Sequence, residues 1–546
     1  MQRHGGQILV DQLKLHGVRR VFSVPGESFL AALDGLYESG IENIVCRQEG
    51  GATMMAEAHG KMTGQPGVCF VTRGPGASNA SAGIHIAKQD STPLVLFVGQ
   101  IARGHRDREA FQEVDYRAFF GPLAKWVTEV DQTERLPEYI NRAFHVATSG
   151  RPGPVVLALP EDMLSALSDV SELAPSAPVL GNVATGDIDA IVSHLKGAKN
   201  PLIMVGGSSW SMQAAQDLQH FAEANHLPVT VTFRRQDMMD NRSPSYIGDS
   251  GVGVNPKLAG RLKQVDRLLV LGARLGDTST GGYELLDPAN PGVSICHVYP
   301  DPDLPGSVYR TDVTVTARVT DVVRDLAKLP AIGDWSGVTS QARGEYEAWR
   351  QPKETPGAVK LEQVMLWLSD NLPDDAIVTN GAGNYAAFLH RYMQFRQYGT
   401  QLAPTSGSMG YGFPAAVAAA VEHRNRTVVC VAGDGCFQMT LNEMSTAAQY
   451  GAKLVVIVCN NGRYGTIRMH QEKFYPSRVS GTDLANPDFA ALGRAYGGVG
   501  EVVEDGADFP AAFARAQAAP GLAVIELKLD PEMLSTGQTV SEVRGS

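Results

Sequence analysis

Short apolar runs rich in β-branched residues alternate with helical patterns along most of the chain. Examples of these runs are "GVCFVTRGPG", "PLIMVGG", "RTVVCVAGDG" and "KLVVIVCNN". This alternation is typical of parallel sheets whose strands are connected by crossover helices. The sequence therefore predicts an α/β fold of doubly wound parallel sheets, in which ligands bind beyond the carboxyl ends of the strands.

Two segments interrupt the alternation and predict domain boundaries. Residues 168–187 and 329–357 are rich in Pro, Gly and charged residues and contain no obvious strand. A chain of 546 residues is several times the usual domain size. We therefore predict three domains of similar size, with the bounds 1–168, 188–330 and 358–546.

Charge and cysteine usage exclude several classes of protein. The net charge is −11, and no block of Lys and Arg stands out, which argues against a nucleic-acid partner. The N-terminus lacks the apolar region of a signal peptide, and "PLVLFVGQIA" is too short to span a bilayer. The six cysteines show no CxxC spacing, and five directly follow Val or Ile. These features predict reduced, buried thiols in a cytoplasmic protein without membrane contact.

An acidic residue follows one buried strand in "VVCVAGDGCF", residues 428–437. Asp434 lies between Gly433 and Gly435, and glycines at this position let a backbone approach a diphosphate closely. Taken alone, Gly-Asp-Gly is more often a strand-to-helix turn in which the acid caps the helix. A GxxxxGK[ST] phosphate loop is absent, so an ordinary NTPase is a poor alternative.

The segment after Asp434 favours a metal site over a simple cap. It predicts a helix of about eleven residues that stops at Gly451, and then a buried strand that ends at Asn460 and Asn461. In such a βαβ unit, Asp434 and Asn461 follow neighbouring strands of one sheet. A few oxygen ligands completed by phosphate oxygens suit Mg²⁺.

Gly-Asp-Gly followed by Asn461, 27 positions after Asp434, resembles the metal and diphosphate motif of thiamine-diphosphate enzymes. The resemblance extends over essentially the whole chain. "VCRQEGGATMMAEAHGKMTGQPGVCFVTRGPGASNASAGI", "EAFQEVDYRAFFGPLAK", "ATSGRPGPVVLALPEDM" and "TSGSMGYGFPAAVAAA" are similar to the catalytic large subunits of acetolactate synthases. The three domains would then be a pyrimidine-binding, a central Rossmann-like and a diphosphate-binding domain.

The resemblance assigns roles on the pyrimidine side of the cofactor. Glu49 would bond the pyrimidine ring nitrogen and so make the cofactor's own amino group a base, which requires a partly desolvated carboxyl. For a lone Glu at a helix start, a solvated role would be the usual interpretation. The pocket around the ring would contain Pro25, Gly26, Thr72, Pro75 and Asn79.

Roles on the diphosphate side also follow from the resemblance. Met409 would be the apolar wedge that bends the cofactor, although a methionine more often fills core space. The metal would be bound by Asp434, Asn461 and the main-chain oxygen of Arg463. Cofactor contacts would come from Asn384, Tyr385, Gly407, Gly433, Gly435, Cys436 and Gly465. Because relatives share each site between subunits, a homodimer or homotetramer is implied.

The substrate region both matches and departs from the acetolactate-synthase pattern. Phe111 and Gln112 match its aromatic and amide residues beside the reacting carbon, where an amide can orient a carbonyl. The arginine that meets the acceptor carboxylate falls at Thr278, and the tryptophan after the second metal motif falls at His470. The family lysine falls at Glu161, and the histidine before the catalytic glutamate falls at Gln48. A different acceptor or donor is therefore expected.

The resemblance implies a Mg²⁺ and thiamine-diphosphate enzyme, a transferase or lyase that decarboxylates a small 2-oxoacid and joins the remainder to a carbonyl acceptor. Three alternatives remain open: a non-ligating decarboxylase, a flavin-dependent oxidase of the same fold, and a cofactor-binding scaffold without catalysis. The Gly-rich strand ends "VGGSS" and "LGARLGD" of the central domain match an FAD or nucleotide site, but some relatives bind nothing there.

Overall fold

The computed structural model describes residues 2–176 and 181–545. Residues 177–180, within the first predicted boundary, and the terminal positions 1 and 546 lie outside the described residues. The described chain forms three domains, each built on a six-stranded sheet in which all paired strands are parallel. The predicted fold class is thus confirmed. Within the described residues, no helix combines the length and the apolar character that a membrane crossing requires.

The first domain begins and ends at a short antiparallel pair, β1 with β8. Its strands are β1 (Arg3–His4), β2 (Arg20–Ser23), β3 (Glu42–Val45), β4 (Gly67–Val71), β5 (Leu94–Gln100), β6 (Trp126–Glu129), β7 (Pro154–Pro160) and β8 (Leu167–Ser168). Its helices are α1 (Gly5–Leu15), α2 (Leu30–Leu36), α3 (Glu49–Thr63), α4 (Pro75–Asp90), α5 (Tyr116–Phe120), α6 (Leu136–Thr148) and α7 (Glu161–Ser165). The sheet order is β3-β2-β4-β5-β7-β6, and the central strands are wholly buried, as expected for a sheet covered on both faces.

The middle domain has the sheet order 11-10-9-12-13-14 in strand numbers. Its strands are β9 (Pro201–Val205), β10 (Val229–Thr232), β11 (Tyr246–Ser250), β12 (Arg267–Leu271), β13 (Ser294–Tyr299) and β14 (Val313–Thr316). Its helices are α8 (Asp187–Lys196), α9 (Met212–Ala224), α10 (Pro256–Leu262), α11 (Val319–Ala327) and α12 (Ser336–Trp349). Helix α12 lies within the second predicted boundary segment and packs on β11, where Tyr346 meets the Tyr246 ring edge to face.

The third domain has the sheet order 16-15-17-18-20-19. Its strands are β15 (Ile377–Asn380), β16 (Gln401–Leu402), β17 (Val428–Gly433), β18 (Leu454–Asn460), β19 (Val499–Val503) and β20 (Leu522–Lys528). Its helices are α13 (Leu361–Asn371), α14 (Tyr385–Tyr392), α15 (Gly412–Glu422), α16 (Asp434–Gln438), α17 (Met444–Gln449), α18 (Gly465–Phe474), α19 (Phe489–Ala495), α20 (Phe509–Ala518) and α21 (Val540–Gly545). The single helix predicted after Asp434 is instead α16 and α17, with a 3₁₀ turn at Leu441–Glu443 between them.

One hydrophobic core joins the first and third domains. It contains apolar side chains of α3 and α15 together with residues of both sheets. Helix α15 is "GFPAAVAAAVE", and its small side chains allow α3 to approach closely. The two helices therefore fix the first domain against the third within one chain.

Candidate cofactor site

A cavity of about 240 Å³ lies at the carboxyl ends of β15, β17 and β18. This is the position at which an open parallel sheet binds its ligands. All residues predicted on the diphosphate and metal side line this single cavity. They are Asn384, Tyr385, Gly407, Met409, Gly433, Asp434, Gly435, Cys436, Asn461, Arg463 and Gly465.

Strand pairing brings the two predicted metal ligands together. Gly433 of β17 is the partner of Cys459 of β18, so Asp434 and Asn461 both follow the ends of adjacent parallel strands. Asp434 is buried, whereas Asn461 is partly exposed within the cavity. The prediction that these residues emerge at neighbouring strand ends is confirmed.

The Asp434 carboxylate is held by three N–H groups. Gly435 N donates to Oδ1 at 2.8 Å, Gly462 N donates to Oδ2 at 2.9 Å, and Asn486 Nδ2 donates to Oδ2 at 2.8 Å. Burial raises the pKa of Asp434, and these hydrogen bonds only partly offset that effect. These donors hold the carboxylate at the end of β17, and Asp434 lines the cavity together with Asn461.

The remaining oxygen atoms at this end of the sheet suit a hard cation. Asn461 and Arg463 both line the cavity, and Arg463 pairs with Asp483 across a short bridge. Among the described residues, no group of three or more His, Cys, Asp or Glu side chains is arranged to hold a metal. A metal here would therefore need mixed protein oxygens and further oxygens from a ligand, as Mg²⁺ at a diphosphate does.

Tyr385 lines the cavity, and its hydroxyl is already hydrogen-bonded within the protein. Its hydroxyl accepts from Gly381 N at 3.1 Å and donates to Cys436 Sγ at 3.3 Å. A Cβ atom on Gly433 would lie 2.9 Å from the Tyr385 ring, so this ring packs directly under the backbone at the end of β17. Burial raises the pKa of the Tyr385 hydroxyl well above its ordinary value.

The residues predicted on the pyrimidine side form a second group, in the first domain. Asn79 Nδ2 donates to Glu49 Oε2 at 2.9 Å, and a Cβ on Gly76 would lie 3.3 Å from Glu49 Oε1. Gly26 packs against Thr72, since a Cβ on Gly26 would lie 2.5 Å from that side chain. Pro25 precedes this glycine, and Pro75 is the first residue of α4.

Glu49 is the first residue of α3 and does not line the cavity of the third domain. Gln48, at the position of the family histidine, caps this helix, because its Oε1 accepts from Gly51 N at 3.0 Å. Phe111 is 74% exposed, and Gln112 has a left-handed φ of +66° and packs over Gly74. Within the described chain, none of the residues predicted on the pyrimidine side lines the cavity of the third domain.

The other departures from the family pattern have distinct environments. Glu161 accepts from Arg73 Nη1 at 2.9 Å. His470 lies exposed on α18, and its ring stacks on Phe474 with centroids 6.1 Å apart. Thr278 lines a different cavity, of about 230 Å³, which the middle domain shares with residues 89–91 of the first domain.

Two polar residues of the site are not predicted by the sequence. Asn486 bridges the motif, since its Nδ2 donates both to Asp434 Oδ2 and to Asn460 Oδ1, each at 2.8 Å. Glu443 is fully buried and accepts from Arg47 N at 3.1 Å and from Gln48 N at 3.0 Å. Asn486 lies in an irregular segment and Glu443 ends the 3₁₀ turn, and both are far along the chain from their partners, so no local pattern identifies them.

Comparison with known protein families gives a match in each domain. Residues 3–119 match the N-terminal TPP-binding domain of thiamine pyrophosphate enzymes. Residues 188–326 match the central domain, and residues 381–527 match the C-terminal TPP-binding domain of the same enzymes. The three matches follow the order of the three sheets.

Several curated proteins are similar to nearly the full chain. The large subunit of acetolactate synthase isozyme 2 from Escherichia coli (strain K12) is 33% identical over 500 residues, which is 90% of this chain and 90% of that protein. The acetolactate synthase large subunit of Parasynechococcus marenigrum (strain WH8102) is 32% identical over 520 residues, 92% of this chain and 83% of that protein. Acetolactate synthase from Arthrospira platensis is 31% identical over 518 residues, 90% and 88% of the two chains.

Proposed function

Because this chain belongs to the thiamine pyrophosphate enzymes and is similar to acetolactate synthase large subunits over most of its length, we propose that it is a Mg²⁺-dependent 2-oxoacid decarboxylating carboligase. The observation that most supports this proposal is the convergence of residues far apart in sequence on one cavity. The carboxyl ends of three parallel strands bring Asn384, Asp434 and Asn461 to that cavity.

The third domain would bind the diphosphate and its metal ion. Asp434, Asn461 and the main-chain oxygen of Arg463 would hold Mg²⁺. At Gly433 and Gly435 the backbone packs closely against the Tyr385 and Tyr464 rings, so a side chain at either position would displace the wall of the cavity. Met409 would press against the bound cofactor from the cavity wall.

Thiamine diphosphate, when bound, supplies a nucleophilic carbon that adds to the 2-oxoacid, permits loss of CO₂ and passes the remaining fragment to a carbonyl acceptor. The Glu49 carboxyl would share a proton with the pyrimidine ring, and Asn79 holds one of its oxygens in place. Pro25, Gly26, Thr72 and Pro75 would form the wall around the ring. Phe111 and Gln112 would face the substrate, and the Gln112 amide would orient its carbonyl.

The acceptor or donor differs from that of the biosynthetic acetolactate synthases in this proposal. Thr278 stands where the carboxylate-binding arginine would be, and a threonine cannot form the two parallel hydrogen bonds of a guanidinium. His470 lies on α18, whose first residues, including Gly465 and Ile467, line the cavity. An uncharged or larger substrate is the better fit to these two positions.

A complete site would need two subunits. Glu49 and the cavity containing Asp434 are separate half-sites within one chain, so the pyrimidine domain of one copy would face the diphosphate domain of another. A homodimer or homotetramer is therefore part of the proposal.

The middle-domain cavity would bind an anionic nucleotide, with FAD or ADP as the two candidates. It lies beyond the carboxyl ends of β9, β10 and β12, and its lining includes Arg235, Arg274 and Thr278. Arg235 is buried, and its Nε has no hydrogen-bond partner among the described residues. The absorption spectrum of the purified protein distinguishes the two, because a flavin absorbs visible light and an adenine nucleotide does not.

The experiment is an NMR product profile with thiamine diphosphate, Mg²⁺ and pyruvate, with and without a panel of aldehyde and 2-oxoacid acceptors. We expect CO₂ and a ligation product, and a loss of activity of about 10²–10⁴-fold in Glu49→Gln, the usual contribution of a general acid–base group. A free aldehyde without ligation would indicate a decarboxylase, and oxygen consumption would indicate an oxidase. A bound cofactor with no turnover of any 2-oxoacid would indicate a scaffold.

A further inference from the structure

Three ionisable side chains that have no assigned contact with thiamine diphosphate are buried between the domains, and one of them, Asp90, also lines the middle-domain cavity. Glu57 and Lys61 lie one turn apart on α3, and Asp90 ends α4. Lys61 Nζ is 3.3 Å from Glu57 Oε1 and also pairs with Asp90, while only 6% of the Lys61 side chain is exposed. Burying charges is costly even when they are paired, so this buried charge cluster requires a structural or functional reason.

The cluster contacts one irregular segment of the third domain, residues 403–411, between β16 and α15. We call it the wedge segment because it carries Met409. It belongs to no helix or strand, and Gly407 and Gly410 have φ angles of +69° and +81°. Its position therefore depends on contacts with other parts of the molecule.

The start of the wedge segment is bound by the cluster directly. Lys61 Nζ donates to the Ala403 carbonyl at 3.0 Å. Thr405 N donates to Asp90 Oδ1 at 2.7 Å, and the Thr405 hydroxyl donates to the same oxygen. Burial would raise the pKa of Asp90, but Lys61, Arg235 and the Thr405 hydroxyl outweigh it and lower that pKa, whereas burial raises the pKa of Glu57.

The end of the wedge segment is bound by the same helix. The Tyr411 hydroxyl donates to Glu57 Oε2 at 2.5 Å, and the Thr92 hydroxyl donates to Glu57 Oε1 at 2.6 Å. Glu57 and Tyr411 are both wholly buried. Met409 thus lies between two fixed positions of the wedge segment. Thr405 is bound to Asp90, which pairs with Lys61 of α3. Tyr411 is bound to Glu57 of the same helix.

Helix α3 also carries Glu49 at its first position, eight residues or about 12 Å from Glu57. In the proposed assembly this Glu49 serves the site whose Met409 belongs to the other subunit, so the cluster acts on Met409 independently of Glu49. The backbone just before Glu49 is tied to the third domain, because the buried Glu443 carboxylate accepts from Arg47 N and Gln48 N. The helix is therefore fixed to the third domain at its start by Glu443 and farther along by the wedge segment.

We propose that the buried charge cluster of Glu57, Lys61 and Asp90 is a positioning device that sets the wedge segment, and with it Met409, relative to α3. These residues act through Met409 and do not touch the cofactor. The inference rests on the proposed function, since it gives Met409 its role beside thiamine diphosphate. Removing an anchor then displaces the wedge and lowers the rate of cofactor activation more than cofactor affinity.

The test uses the full-length protein saturated with thiamine diphosphate and Mg²⁺. Tyr411→Phe removes the hydroxyl that binds Glu57 and keeps the ring, and Thr405→Val removes the hydroxyl that binds Asp90. Tyr309→Phe is the matched control, because it removes a buried hydroxyl that donates to Leu286 O at 2.8 Å in the middle domain. The readouts are the exchange rate of the cofactor C2 proton with D₂O, kcat, the cofactor dissociation constant and the melting temperature.

We expect Tyr411→Phe and Thr405→Val to slow C2 exchange and kcat by about tenfold, because a displacement of about 1 Å can cost 10²-fold in rate. Tyr309→Phe should lower the melting temperature by a similar amount without slowing exchange. Wild-type exchange in both wedge variants, with only a lower melting temperature, would overturn the proposal and leave the cluster a purely structural feature. Exchange no faster than in free cofactor for the wild type would instead overturn the proposed function, and this inference with it.

Discussion

Gly433 is a residue at which a single methyl group should disturb the cofactor site. The Tyr385 ring lies under the end of β17, and a Cβ on Gly433 would approach two of its atoms to 2.9 and 3.0 Å. The ring cannot move freely, because its hydroxyl is hydrogen-bonded to Gly381 N and Cys436 Sγ. We therefore predict that Gly433→Ala weakens thiamine diphosphate binding by about 10- to 100-fold, the equivalent of ~1–3 kcal/mol of overpacking.

Isothermal titration calorimetry of the purified variant with Mg²⁺ and thiamine diphosphate measures this effect. Gly344→Ala is the matched control, since Gly344 lies in α12 and a Cβ there would have nothing within 4 Å. Unchanged affinity in Gly433→Ala would contradict the role assigned to the close backbone approach.

At the scale of single residues, the sequence identifies the members of the cofactor cavity better than the groups that hold them. Asp434 and Asn461 are recognisable because each follows a buried strand, and a parallel sheet places such ends together. Asn486 and Glu443 cannot be recognised in this way, because neither an amide in a loop nor an acid in a predicted helix has a sequence pattern that marks it as part of a site. Their hydrogen bonds to Asp434 and to Gln48 N exist only after the chain has folded.

At the scale of elements, the end of α15 makes an ion pair between domains. The Glu422 carboxylate, 11% exposed, pairs with Arg20 of β2 and lies 3.2 Å from His59 Nδ1 of α3. These neighbours lower the pKa of Glu422 to about 2. Because the folded-state pKa lies below the unfolded value of about 4.5, the pair stabilises the fold fully above that value and progressively less as the pH falls toward 2.

We predict that Glu422→Gln lowers the free energy of unfolding by about 1–2 kcal/mol at pH 7, after allowance for solvent screening. The difference from the wild type should shrink as the pH is lowered below about 4.5. Urea denaturation between pH 7 and pH 3.5 measures it. Glu42→Gln removes a more exposed partner of Arg20 and should change stability by less than about 0.5 kcal/mol. A pH-independent difference for Glu422→Gln would refute the electrostatic origin.

The sequence predicts those strands and helices whose pattern of apolar residues is continuous along the chain. Buried strands such as β17 and β18 are continuous β-branched runs, so their presence and their parallel pairing follow from the sequence. The sequence predicts one continuous helix after Asp434, but the structure interrupts it before the 3₁₀ turn at Leu441–Glu443, where Thr440 Oγ1 donates to Gly410 O at 2.7 Å. This hydrogen bond ties the turn between α16 and α17 to a segment thirty residues away. The helical periodicity of the sequence does not indicate such a contact.

At the scale of the whole molecule, the absence of Glu49 from the cavity that contains Asp434 bears on how subunits combine to form a site. The core between α3 and α15 fixes the first domain against the third within a chain, yet Glu49 does not line the cavity that contains Asp434. We therefore predict that each site combines Glu49 of one subunit with Asp434 of another. The sequence could not show this from its own residues, because strand and helix patterns carry no information on which copy supplies a residue.

Mixing two inactive variants tests the shared site. Glu49→Gln and Asp434→Ala should each be inactive as homodimers, whereas a mixed dimer should contain one site with both defects and one with neither. Random exchange of subunits should therefore restore about a quarter of the wild-type activity, since half of the dimers are mixed and half of their sites are intact. The measurement is the rate of pyruvate consumption of this random mixture, and the mixed dimer isolated from it through two different tags should show about half of the wild-type activity. If each site were built within one chain, both sites of every mixed dimer would keep one defect, and the mixture would remain inactive at all ratios. A control mixture of Glu49→Gln with Glu49→Ala should stay inactive in either case, because neither chain supplies the carboxyl.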